Sequence, residues 1–187
     1  MRRQIFMAAL AMWTASGWGQ EPKSYDGKWW ASAQEAEKSG FLNGSCDCLT
    51  WVAKQRWIAG SIEYAVLKIN EYYKTHPAAR ALPVVDVWRK VLSKTPPDPP
   101  REGGEVYTNA HGYYDGQYWR EGSHAENIGF LEGYLWCLRT RLQPPTETYS
   151  RLVSYYAKRI DEYLKKHPKA DDLSIASILA HFKDKAE

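Results

Sequence analysis

Apolar residues recur at helical spacing through most of the chain, and they do so twice. Counting from Phe41, the residues Ser45, Cys48, Leu49 and Val52 fall at i+4, i+7, i+8 and i+11. Phe130, Tyr134, Cys137, Leu138 and Leu142 form nearly the same stripe. That is the 3.6-residue period of a helix with one buried face. Ser32-Ala33-Gln34-Glu35 and Ser123-His124-Ala125-Glu126 have the capping-box pattern that marks where such helices start. A second helix is predicted from about Ser61 to Thr75, with Ile62, Val66, Ile69 and Tyr73 on its face. Its counterpart is predicted from about Thr146 to Lys166, with Tyr149, Val153, Tyr156, Ile160 and Tyr163. Each ends before a His-Pro pair, because proline pushes the preceding residue out of α geometry. A third helix starts near Pro83 and carries Val84, Val87, Trp88 and Val91. Its counterpart starts near Ser174 and carries Ile175, Ile178, Leu179 and Phe182. No alternating run reads as a strand, and the Asp-Gly pair ahead of each first helix reads as turn chemistry. The pattern predicts an all-α protein with three helices in each half.

The doubling is a tandem repeat. Tyr25-Asp26-Gly27-Lys28-Trp29-Trp30 returns as Tyr114-Asp115-Gly116-Gln117-Tyr118-Trp119, and 12 of the 25 positions from Tyr25 to Leu49 match at an offset of 89. Further on, Ile69-Asn70-Glu71-Tyr72-Tyr73-Lys74-Thr75-His76-Pro77 matches the segment from Ile160 to Pro168 at an offset of 91. A unit of about 70 residues is marginal alone. Two units packed on each other make a better core, so one pseudo-twofold helical domain is expected. Its parts are a signal peptide at 1–19, repeat 1 at 20–93, a linker at 94–113 and repeat 2 at 114–187. Pro96, Pro97, Pro99 and Pro100, followed by Gly103 and Gly104, give the linker an extended, polyproline-type character.

Glycines sit four apart on each first helix, at Gly40 and Gly44 and at Gly129 and Gly133. Each costs about 1 kcal/mol of helix propensity relative to alanine, which points to close backbone approach on that face. Either each first helix packs on its own third helix, or the two first helices cross. In the second arrangement the equivalent residues Cys48 and Cys137 meet, which makes them a disulfide candidate. Cys46 and Cys48, two apart on a helix, point to different sides and cannot bridge each other. One of the three cysteines therefore stays free or pairs between chains.

The first nineteen residues change the charge and the compartment. Met1-Arg2-Arg3 is a basic start, Ile5 to Trp13 an apolar run, and Thr14 to Gly19 a stretch rich in small residues. This is the pattern of a secretory signal peptide, and its apolar run is far short of the roughly 20 residues needed to span a bilayer. The expected mature chain is exported, to the periplasm or outside the cell, where disulfides persist. Removing the two arginines takes the formal charge from +3 to about +1. That near-neutral balance does not suit a nucleic-acid partner, and no membrane association is expected once the signal is cleaved.

Chemical motifs are scarce. No phosphate-binding glycine loop, HExxH or GxSxG occurs, and Cys46-Asp47-Cys48 lacks further ligands at metal-binding spacing. His76 and His167 each suit the closing of a helix C-terminus. Glu126 suits a cap, and Asp26 and Asp115 suit turns. No catalytic residue, metal or cofactor is expected. The remaining excess is aromatic, with nine Trp and thirteen Tyr. Trp29, Trp30, Tyr114, Tyr118 and Trp119 are the candidate binding residues, since exposed Trp and Tyr anchor protein partners and sugar rings.

Gly-Phe-x-x-Gly on the first helix, a second helix ending in Tyr-x-x-x-His-Pro, and Ala79-Arg80-Ala81-Leu82-Pro83 before the third together carry a family resemblance. The chain resembles the Rap/Tai type of periplasmic immunity protein, which neutralises cell-wall amidase toxins delivered by type VI secretion. The match runs over Gly40 to Leu92 and repeats over Gly129 to Phe182. The resemblance implies a small secreted helical fold that works as a dimer, so that this chain looks like a fused dimer, a monomer with pseudo-dimeric repeats. It also implies a toxin or hydrolase as the protein partner. The expected function is an exported helical binding protein of this inhibitory type. The alternative is an exported structural or glycan-binding module with no catalytic activity.

Overall fold

The computed structural model describes residues 24–53, 61–92, 114–141 and 149–183. The expected signal peptide and the linker from 94 to 113 lie outside the described residues. What is described is helical: α1 (Gly27–Ser32), α2 (Glu35–Trp51), α3 (Ile62–Thr75), α4 (Val84–Leu92), α5 (Gly116–Glu121), α6 (His124–Arg141), α7 (Val153–Lys166) and α8 (Ile175–Ala180), with a 3-10 turn at Pro77–Ala81. Among the described residues there is no strand, only two isolated bridges, Asp26 to Pro83 and Asp115 to Ser174. Among them, too, no helix is long and apolar enough to cross a membrane.

The expected turns at Asp-Gly are helix starts instead. Asp26 accepts from the backbone N–H groups of Lys28 and Trp29 at 2.9 and 3.2 Å, and Asp115 from that of Tyr118 at 3.0 Å. An aspartate N-cap satisfies the free donors of a first turn, so a short helix forms where a turn was expected. Gly27 is needed for space rather than for conformation: a Cβ there would lie 2.6 Å from the Tyr73 ring. Each half therefore has four α-helices among the described residues. Ser32 closes α1, its hydroxyl donating to the Trp29 carbonyl at 2.9 Å. The box ahead of α2 shifts by two residues, with the Gln34 N–H donating to the Glu37 carboxylate. Ser123 does cap α6, accepting from the Glu126 N–H at 3.2 Å.

The start of α7 is also later than the periodicity predicts. Tyr149 and Leu152 precede the helix, and part of the expected first turns, 142–148, lies outside the described residues. Side chains replace the helical bonds there: Arg139 donates to the Tyr149 carbonyl at 2.7 Å, and the Arg151 N–H donates to the Tyr156 hydroxyl. Buried backbone groups need a partner but not a helical one. His76 and His167 end α3 and α7 in nearly identical geometry, φ/ψ −127/70° and −124/73°. Each imidazole lies against the tyrosine four residues earlier, at 4.4 and 4.5 Å between centroids.

The longest helices, α2 and α6, pack on each other along their glycine faces. A Cβ on Gly40 would overlap the Glu126 carbonyl, and one on Gly129 would overlap the equivalent Glu37 carbonyl. Gly44 bears on the Phe130 carbonyl and Gly133 on that of Phe41 in the same reciprocal way. One turn further on, Cys48 and Cys137 form a disulfide, with Cα atoms 6.1 Å apart and both residues fully buried. Cys46 keeps a free thiol.

The glycine contact corrects the one-face reading of α2 and α6. Both helices are buried on two sides, by their own half and by each other, so ten consecutive or near-consecutive residues of each are inaccessible. Two apolar clusters result. One gathers Trp29, Trp30, Phe41, Leu42, Ile69, Val84 and Trp88 with their neighbours. The other gathers Trp119, Phe130, Leu131, Tyr156, Ile160, Ile175 and Ile178, and it takes in Cys48 and Leu49 from α2. Trp136 touches both.

Candidate functional site

The aromatic residues singled out by sequence are interior. Trp29, Trp30, Tyr118 and Trp119 are buried and Tyr114 is half-buried, so none stands on the surface as a binding anchor. The cause is the two short helices, α1 and α5, which turn these rings inward onto α2 and α6. Tyr25 lies 4.9 Å from Phe41 between centroids, and Tyr114 lies 5.3 Å from Phe130. The indoles of Trp30 and Trp119 keep a polar partner. Trp30 Nε1 donates to Asn70 Oδ1 and Trp119 Nε1 to Asp161 Oδ1, both at 2.7 Å, as a Trp N–H inside a protein requires. The exposed aromatics among the described residues are Trp51 and Tyr155, at 46% and 44%.

What the sequence did not announce is a buried polar chain between the halves. Tyr114 Oη donates to Asn43 Oδ1 at 2.8 Å, Asn43 Nδ2 donates to Tyr118 Oη at 3.3 Å, and Tyr118 Oη donates to Glu126 Oε1 at 3.1 Å. Asn43 belongs to α2, and the others to α5, its lead-in residue and α6. Glu126 is thereby drawn away from a reciprocal cap toward Tyr118. Burial raises the hydroxyl pKa of both tyrosines, with Glu126 adding to it, so both stay neutral donors.

Asp47 sits beside this chain. It is 4% exposed, and the Tyr114 backbone N–H donates to its carboxylate. Among the described residues its Oδ1 has no hydrogen-bond partner. Loss of water outweighs the single donor, and its pKa is pushed up to about 7. The neighbouring Cys46 thiol is also pushed up by burial, which makes it a poor nucleophile. The equivalent position in the second half is Trp136, so this polar niche exists on one side only.

A raised carboxyl pKa has a definite sign for stability. Between about pH 4 and pH 7 the folded chain holds a proton on Asp47 that the unfolded chain has released, so stability falls as pH rises through that window and levels off above it. Asp47→Asn keeps an acceptor for the Tyr114 N–H and removes the charge. It is expected to stabilise the protein at pH 8 by roughly 2–4 kcal/mol and to leave it almost unchanged at pH 4. Urea unfolding at the two pH values measures this, and an equal effect at both would show that the carboxyl is not held neutral by burial.

No family model, curated protein or solved structure matches this chain. The class that fold and site define is an all-helical protein with a disulfide buried where two glycine-faced helices meet. Asn43 and Asp47 carried one weak sequence signal: each is polar inside a run of small and apolar residues, Gly-Phe-Leu-Asn-Gly and Cys-Asp-Cys.

Proposed function

We propose that the chain is an exported, non-catalytic helical binding protein of immunity type, built as a fused dimer of one unit around a pseudo-twofold axis. The observation that carries this reading is the reciprocal contact of Gly40 with Glu126 and Gly129 with Glu37, closed by the Cys48–Cys137 disulfide. Reciprocal contacts between equivalent residues are what an isologous dimer interface makes. Here one chain supplies both partners, so the mature protein is a monomer. A buried disulfide belongs in an oxidising compartment, which supports export. The groups that could carry chemistry have structural roles: His76 and His167 end helices, Asp26 and Asp115 cap helices, and Tyr114 and Tyr118 bridge the halves.

The partner in this reading is a cell-wall amidase toxin. The test is inhibition of peptidoglycan digestion by the amidase encoded nearest to this chain, with the oxidised mature protein added in increasing amounts. Stoichiometric loss of digestion is expected. Full digestion at a tenfold excess, together with no heat of binding, would sink the immunity reading.

A further inference from the structure

The two halves meet along one main seam. Among the described residues, the packings of α2 on α3, α3 on α4, α6 on α7 and α7 on α8 each stay within one half, and the packing of α2 on α6 is the extensive one that links the halves. Partner positions rise together along it. Gly40 lies against Glu126, Gly44 against Phe130 and Cys48 against Cys137, so the two helices run in the same direction. Parallel helices are not the arms of a short helical hairpin, whose two helices run antiparallel. The chain between α2 and α6 includes all of α3, α4 and α5. The contacts of the seam are therefore the same whether one chain or two supply its helices.

The seam does distinguish the halves. Asn43 of the first accepts from Tyr114 Oη and donates to Tyr118 Oη in the second. Arg141 of α6 reaches Asp86 of α4 at 3.7 Å. In the repeat register, two first halves would set Asn43 against Tyr25 and Trp29, and Trp29 has no hydroxyl. They would also leave Asp86 facing Val52. Two second halves would set Glu132, which has no N–H to give, against Tyr118, and would leave Arg141 facing Ser177. A dimer of two chains built from like pairs forfeits both Asn43–Tyr118 bonds. Each buried bond lost in this way shifts the equilibrium by roughly fivefold to 100-fold. The partner that fits either half is the unlike half.

We propose that the seam accepts a second copy of this chain by exchange of halves. In the exchanged dimer α2 of each copy packs on α6 of the other, and two Cys48–Cys137 bonds join the chains. Every contact across the seam is kept, and only the connection between halves changes, as in domain swapping. Each bond forms when two thiols give two electrons and two protons to oxidised glutathione, which leaves as two reduced molecules. Within one chain the halves meet at an effective concentration on the order of 1 mM. The closed monomer therefore dominates well below that concentration, and the exchanged dimer appears as chain concentration approaches it. The proposal rests on the fused-dimer reading and not on the immunity role. Failure to inhibit an amidase leaves it standing, and failure of the crosslink described next leaves inhibition standing.

Two variants of the mature chain with one cysteine each test this. Cys46→Ala with Cys48→Ala keeps Cys137, and Cys46→Ala with Cys137→Ala keeps Cys48. Neither can close its own disulfide. The two are mixed in equal amounts at about 1 mM, the effective concentration of the halves, and oxidised with glutathione. The expected product is the mixed covalent dimer joined Cys48 to Cys137, in at least tenfold excess over the Cys48–Cys48 and Cys137–Cys137 dimers. Random collision would give mixed and like dimers in the statistical ratio of about two to one to one. That ratio, or no covalent dimer at all, overturns the proposal. If the variants do not fold without their disulfide, the unaltered protein decides. Nitrogen-14 and nitrogen-15 copies are unfolded in reductant, mixed and refolded with oxidised glutathione at about 1 mM, where closed and exchanged seams are equally populated. About a quarter of the Cys48–Cys137 peptides should then carry both isotopes, and bonds of a single isotope only overturn the exchange.

Discussion

Gly44→Ala is expected to destabilise the protein by about 3 kcal/mol, the cost of forcing a methyl group into a packed contact. The sign is the informative part. Helix propensity alone predicts that alanine stabilises a helix interior by about 1 kcal/mol over glycine. The structure predicts the opposite, because the new Cβ would overlap the Phe130 carbonyl, and backbone in a packed helix cannot swing aside as a side chain can. Gly133→Ala meets the Phe41 carbonyl and should behave alike. A melting temperature lower by roughly 6–12 °C is the expected readout. A rise in melting temperature in both variants would mean that α2 and α6 do not pack through these faces.

Removing the Cys48–Cys137 bond is the second large effect. The bond joins residues 89 apart in sequence. A closed loop of that length restricts the unfolded chain enough to be worth about 4.6 kcal/mol on the chain-entropy estimate. Cys48→Ala combined with Cys137→Ala should therefore lower the guanidinium midpoint markedly at neutral pH. Adding reductant to the unaltered protein during unfolding should produce the same shift. Mass measurement without reductant should show one intramolecular disulfide and one thiol, at Cys46. A Cys46 found in the bond, or midpoints identical with and without reductant, would remove the disulfide from this account.

Several helices were legible with little error. α3, α4 and α8 begin where Ser61, Pro83 and Ser174 suggest, and α3 ends at the His-Pro pair, because caps and proline act within one or two residues of where they stand; α8 stops at Ala180, so Phe182, expected on it, lies beyond its end. Ser61 and Ser174 do cap these helices, accepting from the N–H groups of Tyr64 and Ser177. Other expectations failed for a common reason: they depended on what lay across the interface. The aromatic excess suggested a binding face, yet Trp29, Trp30, Tyr118 and Trp119 are interior. A ring's side of burial depends on where α1 and α5 lie, and short helices of six residues carry too little periodicity to say. The stripe on α2 and α6 suggested one buried face, while Asn43, Asp47 and Glu132 lie buried on another. A polar residue off the stripe reads as solvent-facing until a second copy of the helix covers it.

By itself the sequence determined the repeat, the helical class, the glycine spacing and the equivalence of Cys48 with Cys137. These follow from short-range rules, a period of 3.6 residues, caps and self-similarity, that need no partner in space. Two packings of the glycine faces are compatible with the same spacing. Only the tertiary structure decided that Gly40 and Gly44 meet Glu126 and Phe130, that the disulfide closes at their crossing, and that Asp47 is left nearly dry. Such outcomes are set by contacts between residues some 70 to 90 positions apart, where excluded volume and desolvation act on atoms that local sequence does not bring together.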